Sequence, residues 1–229
     1  MRLLRCATSA AVLLGLCGCG LFGKSDPLMP RYFSPDAASA EASVAPVPLA
    51  GSAPIELRLG RVTAAAYLGE RIVFRDSNYE LNFYEERRWT ERPEAYLRRA
   101  LSRSLFEQHG ARRIVSGAGP TLEVELTEFA ELRLTAPVAR VRLTYILYEN
   151  RLVQKEATVT VELPIRGSPA DLASPEPAVR VMTQALGNAV QRVVEQVLGE
   201  LATRAPAQGA GEAPFPVPPT ALPPSAVSE

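Results

Sequence analysis

The stretch "YELNFYEERRWTERP", Tyr79 to Pro93, holds the only tryptophan of the chain and three further aromatic rings within eleven residues. Its hydrophobic period changes partway along. Up to Trp89, Tyr79, Leu81 and Phe83 alternate onto one face and Tyr84 onto the other, the mark of a half-buried strand. Beyond Trp89 the period lengthens to that of a helix. Thr90 is a candidate N-cap, Pro93 suits a first turn, and Tyr96, Leu97, Ala100, Leu101, Leu105 and Phe106 form one apolar stripe. Arg98, Arg99, Arg103 and Glu107 fall largely outside the stripe, and Gly110 is placed to stop the helix. A strand that passes directly into an amphipathic helix implies a core shared between sheet and helix. Tyr79, Phe83 and Trp89 are therefore expected to join the two as buried structure, each ring covering about 150–250 Å². Tyr84 faces the other way and stands equally as packing or as a partner contact.

Outward from this junction the same two periods recur. "IELRLGRV" alternates Ile55, Leu57 and Leu59 against Glu56 and Arg58. "RIVFRDSNYELNFYE" reads as two strands joined at Asp76-Ser77-Asn78, residues that tolerate tight-turn geometry. Three more strands follow, in which Leu122/Val124/Leu126, Val141/Leu143/Tyr145/Leu147 and Val159/Val161/Leu163 oppose polar residues. A turn near Asn150 makes the last two a hairpin. From Ser174-Pro175 to about Leu201, Val179, Met182, Leu186, Ala189, Val193 and Val197 repeat at helical spacing. The expected fold is α+β, a two-layer sandwich with an antiparallel sheet and two long helices packed on one face. Arg140 and Arg142, on the polar face of that sheet, are expected to be exposed and to be candidate partner contacts.

The N-terminus sets the compartment. "MRLLRCATSAAVLLGLCGCG" opens with Arg2 and Arg5, continues apolar and ends in small residues, the order of a secretory signal. The apolar run is about half of the roughly 20 residues a membrane-spanning helix needs. "LCGC", Leu16 to Cys19, resembles the bacterial lipobox, which implies cleavage after Gly18 and lipidation of Cys19. An ordinary signal peptide cut nearby, or a short membrane anchor, is the alternative. All three cysteines lie in the first 19 residues, so a disulfide framework for the domain is not expected. Several acyl chains on one residue would anchor the protein stably in a membrane.

Four segments result: a signal peptide at 1–18, a lipidated cysteine and an Ala/Pro/Ser-rich tether at 19–54, one domain at 55–203, and a Pro/Ala-rich tail at 204–229 expected to be disordered. Basic and acidic residues balance at 25 each over the whole chain. Losing 1–18 removes Arg2 and Arg5 and no acid, which argues against a nucleic-acid partner.

Catalytic chemistry finds little to work with. His109 is the single histidine and sits beside Gly110 at a helix end, where a capping role is expected. No zinc-type ligand cluster and no Ser-His-Asp arrangement can be assembled around it. "SGAGP", Ser116 to Pro120, reads as a loop rather than a phosphate cradle opening a helix. Neither a cofactor, a metal nor an enzymatic activity is expected.

The order strand, hairpin, tryptophan, helix, sheet, helix carries a resemblance. "RYFSP" at Arg31 to Pro35, "YLGERIVFRDSNYELNFYEERRW" from Tyr67 and "ERPEAYLRRALSRSLFE" after it are similar to the ABC-type transport auxiliary lipoproteins, which include the Pqi-type outer-membrane lipoprotein. The resemblance runs from Tyr32 to Leu201 and is most specific between Tyr67 and Leu105. It implies a non-enzymatic docking component at the outer membrane, serving an ABC lipid-transport system whose MCE-domain protein bridges the periplasm. Gly20, not aspartate, follows Cys19, which favours outer-membrane placement. A free-standing lipid- or ligand-binding lipoprotein is the alternative, and an envelope enzyme acting on peptidoglycan a third. The oligomeric state, including a homo-oligomer, is left open by the sequence.

Overall fold

The computed structural model describes residues 29–35, 55–77, 79–133, 135–167 and 174–204. The signal peptide, Gly18, Cys19, most of the expected tether and the tail beyond Arg204 lie outside the described residues.

Strands β1 (Arg31–Phe33), β2 (Glu56–Ala64), β3 (Arg71–Arg75) and β4 (Asn82–Trp89) precede helix α1 (Pro93–Ser102), which continues as a π-helical turn over Arg103–Gln108. Strands β5 (Arg112–Arg113), β6 (Thr121–Leu132), β7 (Val138–Glu149) and β8 (Leu152–Pro164) follow, and α2 (Glu176–Arg204) closes the order. The strands make one open eight-stranded sheet, and the fold is mixed α/β.

The sheet is mixed rather than antiparallel. β6–β7, β7–β8 and β3–β4 are antiparallel, but β2 and β3 both run parallel to β6, β1 runs parallel to β4, and β5 parallel to β2. Alternation reports that one face of a strand is buried; it carries no information about the direction of the neighbour. The chain between β3 and β6 is long enough to cross over and return in the same direction, which a parallel pair requires.

β2 and β3 lie end to end along one edge of β6. Leu59 and Ala64 register with Leu122 and Leu126, and Val73 and Arg75 with Ala130 and Leu132. The excursion between them stays fastened. Ala65 N–H donates to the Leu126 carbonyl at 2.9 Å, and the Tyr67 hydroxyl donates to the Thr127 carbonyl at 2.7 Å. At Gly60, where the register shifts, a Cβ would stand 2.9 Å from Thr121 Cγ2, so this close approach needs glycine.

β1 falls within the span read from sequence as tether. Arg31, Tyr32 and Phe33 register with Arg87, Arg88 and Trp89, and Arg31 forms an ion pair with Glu176 in the first turn of α2.

One continuous core joins the layers. Ala139, Val141, Leu143, Tyr145 and Leu147 alternate as fully buried residues along β7. α2 contacts β6, β7 and β8, while α1 contacts β2, β6 and α2. Along α2 the expected stripe is buried: Val179, Met182, Leu186, Ala189, Val193 and Val197.

α1 starts as Pro93 demands, but its cap differs from expectation. Arg92 occupies the N-cap position and supplies no side-chain bond, while the Thr90 hydroxyl pairs with that of Tyr96. Tyr96, Leu97 and Leu101 are buried, and the π turn carries Leu105 into the core. His109 N–H and Nδ1–H both turn back on the Ser104 carbonyl, at 3.1 and 2.8 Å, and Gly110 at φ 67° ends the run. The β7–β8 hairpin turns through Asn150 and Arg151, both left-handed at φ 51° and 67°.

Candidate functional site

The residues singled out from sequence separate into three places. Trp89 is 1 % exposed and stacks on Phe129 of β6. Phe83 is half-buried under the Arg71 guanidinium, which lies 4.4 Å from its ring centre. Tyr79 does not join them. It is 98 % exposed in the β3–β4 connection, where its N–H and that of Glu80 bond Ser77 Oγ at 3.3 and 3.2 Å. The alternation that placed Tyr79 in the core begins only at β4, and Tyr79 precedes the strand.

Tyr84, which sequence left open, is anchored inside the fold. Its ring meets Phe74 at 4.7 Å and lies under the guanidinium of Arg87 at 3.9 Å. Its hydroxyl donates to Glu131 and accepts from Arg133 Nη2 at 2.6 Å. Burial and then the hydrogen bond and charge of Glu131 push the phenol up to about 12, because both disfavour the phenolate. A phenol so engaged has no free polar group to offer a partner.

Arg140 and Arg142 are tied into an ionic cluster instead of standing free. Its centre is Glu128, 5 % exposed, whose position follows from a β-bulge. Leu126 pairs with Leu143 and Glu128 with Arg142, so β6 spends an extra residue there and turns Glu128 to the face of Arg142. Its carboxylate lies 3.5 Å from Arg75 Nε, 3.8 Å from Arg140 Nη1 and 3.4 Å from Arg142 Nη1. Cross-strand pairs extend the cluster to β8: Arg140 Nε donates to Glu162 at 2.7 Å, Arg142 Nε to Thr160 Oγ1 at 3.4 Å, and Thr144 meets Thr158 at 3.1 Å. The Arg140 side chain keeps 22 % exposure and Arg142 43 %, so Arg142 is the more reachable. Glu128 and Glu162 against three guanidiniums leave one positive charge within the cluster. The arrangement presents charge for recognition.

Glu128 escaped the sequence reading. Its one signal is the broken alternation of "TEFAEL", Thr127 to Leu132, where Phe129 and Ala130 are apolar side by side. Among the described residues no group of three or more His, Cys, Asp or Glu side chains is placed to hold a metal ion. No helix among them is long and apolar enough to cross a membrane.

A family model described as "ABC-type transport auxiliary lipoprotein component" matches residues 39–198. No curated protein matches the sequence. Protein XCC0632 from Xanthomonas campestris superposes with a TM-score of 0.64 at 19 % identity, over 77 % of this chain and 99 % of that one. An uncharacterised protein of known structure does so with a TM-score of 0.55 at 16 % identity, over 74 % of this chain and 99 % of its own. A minor lipoprotein from Acinetobacter baumannii aligns more loosely, with a TM-score of 0.40 at 14 % identity over 65 % and 94 % of the two chains. At these identities the first two likenesses speak for the fold alone.

Proposed function

Because the chain belongs to the ABC-type transport auxiliary lipoprotein family, we propose that it is a non-enzymatic docking component of an MCE-type lipid-transport system. In this reading it is anchored through lipidated Cys19 in the outer membrane and faces the periplasm. There its two-layer α/β domain receives the far end of the MCE-domain bridge. The family match across residues 39–198 carries the proposal. Support comes from the Leu16–Cys19 lipobox with Gly20 after it. The reachable Arg142 side chain and the exposed rings of Tyr79 and Tyr32, at 98 % and 59 %, are the features best suited to a contact.

A free-standing binder would need a cavity between sheet and helices. Leu143, Tyr145, Val193 and Val197 are all 0 % exposed there, and the Tyr145 hydroxyl is bonded to Gln196 at 2.9 Å. The space between β7 and α2 is packed, which favours docking over storage of a ligand in the core.

The test is cross-linking in intact cells followed by purification of the lipidated protein. An MCE-domain protein should be recovered, and Tyr79→Ser together with Arg142→Glu should reduce its yield. Cys19→Ala should give an unprocessed or mislocalised precursor. Recovery of no MCE-domain protein, with normal membrane fractionation of the Cys19→Ala variant, would remove both halves of the reading.

A further inference from the structure

A second concentration of charge lies away from Glu128. A groove of about 610 Å³ runs between β2, α1 and the segment after β5, and the side chains of Arg58, Arg98, Arg99, Arg103 and Arg113 line it against one acid, Glu107. Cavities of this volume fall within the range of small-molecule sites. The chain has no general basic excess, with 25 basic and 25 acidic residues, so five guanidiniums in one groove are a local arrangement.

Their partners orient them without cancelling their charge. Arg98 Nη1 donates to the Gly60 carbonyl at 2.9 Å, and Arg58 Nη2 to the Gly117 carbonyl at 2.7 Å. Arg113 bonds the Ser102 hydroxyl and lies 4.3 Å from the centre of the Phe106 ring. Arg99 alone is neutralised, by Glu91 at 2.7 Å. Glu107 and Glu91 together leave three positive charges uncompensated. Arg58 Nε is buried and has no hydrogen-bond partner among the described residues. A buried donor left unpaired is costly.

We propose that this groove binds a phosphate group. Guanidinium forks match the oxygens of a phosphate in geometry and charge, and several converging forks hold one oxyanion at once. The carbonyl anchors fix Arg58 and Arg98 beforehand, so little side-chain freedom is lost on binding. Leu59, Ile114 and the 85 % exposed Val115 give the same groove an apolar flank. The site therefore suits phosphate as the free ion or as the headgroup of an amphiphile, with the phosphate as the common element.

The experiment uses the full-length protein in dodecyl maltoside, an uncharged detergent without phosphate. Calorimetric titration with sodium phosphate, and separately with dihexanoyl phosphatidylglycerol, is run at matched ionic strength so that general screening is constant. At least one probe should bind saturably. The Arg98→Ala/Arg103→Ala double variant should bind it about tenfold or more weakly, the usual consequence of losing a charged hydrogen bond. Arg166→Ala/Arg180→Ala, the same loss of two charges at exposed positions outside the groove, should bind as the parent does. Loss of lipid binding alone in the double variant identifies a headgroup, and loss of phosphate binding alone identifies the free ion. Unchanged thermal unfolding of the double variant separates lost binding from lost fold. No saturable binding of either probe, or equal binding by parent and double variant, would overturn the site. Both readings are made on the isolated protein, so neither depends on recovery of a transporter partner.

Discussion

Trp89 lies flat against Phe129, their ring centres 4.9 Å apart and their planes 11° from parallel, although β4 and β6 are not neighbours in the sheet. The stack crosses the place where β2 has ended and β3 begins, and the Trp89 N–H donates to the Glu70 carbonyl in that excursion at 2.6 Å. One side chain thus closes over the interruption and delivers the chain into α1.

Trp89→Ala should therefore destabilise the protein by about 3–5 kcal/mol, the loss for a large buried ring that leaves a cavity. Chemical denaturation of the two proteins measures it. Phe129→Leu, which keeps most of the volume, should cost less than half as much. Equal stability of parent and Trp89→Ala would show that the stack contributes nothing.

Glu128→Gln should be the more damaging change in the ionic cluster. It leaves Arg75, Arg140 and Arg142 facing one another without their shared carboxylate, and breaking a buried pair from one side costs on the order of 3 kcal/mol. Arg142→Ala removes only the most exposed of the three, and should cost about 1 kcal/mol or less. A larger loss from Arg142→Ala than from Glu128→Gln would reverse this order.

Those two positions also mark how far the sequence could be read. The β4-to-α1 junction, the burial of Trp89 and the stripe of α2 follow from period alone, because burial on one face leaves a direct trace in residue type. Strand direction leaves none, so Leu57 and Leu122 alternate alike whether their strands run together or oppositely. Tyr79 and Tyr84 show a second limit. Parity along "YELNFY" sorts residues to faces only once the strand's first residue is known, and β4 starts at Asn82. The arginine groove gathers Arg58, Arg98 and Arg113 from three elements distant in sequence, and no local pattern can announce such a meeting.

Alkaline pH should act through Tyr84. In the unfolded chain a tyrosine ionises near pH 10, whereas in the fold this one is pushed up to about 12. Between those values the unfolded state has released a proton that the folded state keeps. Stability is fully present below pH 10 and declines as pH rises toward 12. Tyr67 and Tyr145 are also raised, both chiefly by burial, and add to the same trend. Stability measured across pH 9–12 should fall less steeply in Tyr84→Phe than in the parent. Parallel slopes would remove Tyr84 as a contributor.

Arg151→Gly tests the β7–β8 turn. Two successive left-handed residues form the tight hairpin turn that favours Asn followed by Gly, and Asn150 already fits. Relieving the strain at Arg151 outweighs the added freedom of glycine in the unfolded chain, for a net gain of up to about 1 kcal/mol. The midpoint of thermal unfolding should rise by a few degrees. A fall would mean that the arginine side chain contributes more than its backbone costs.

The stitching of β1 onto β4 sets the working height of the domain above its membrane. With Cys19 as the proposed anchor, a leash reaching to the first residue of β2 would contain 37 residues before Glu56 and could extend about 120 Å. Pairing of Arg31 with Arg87 and of Arg31 with Glu176 moves the attachment point forward, so that 11 residues, Gly20 to Pro30, separate Cys19 from the sheet. Their greatest span is about 40 Å. A bridge crossing the periplasm would thus have to approach within one domain's width of the bilayer to be met, and loosening three residue pairs would roughly triple that distance.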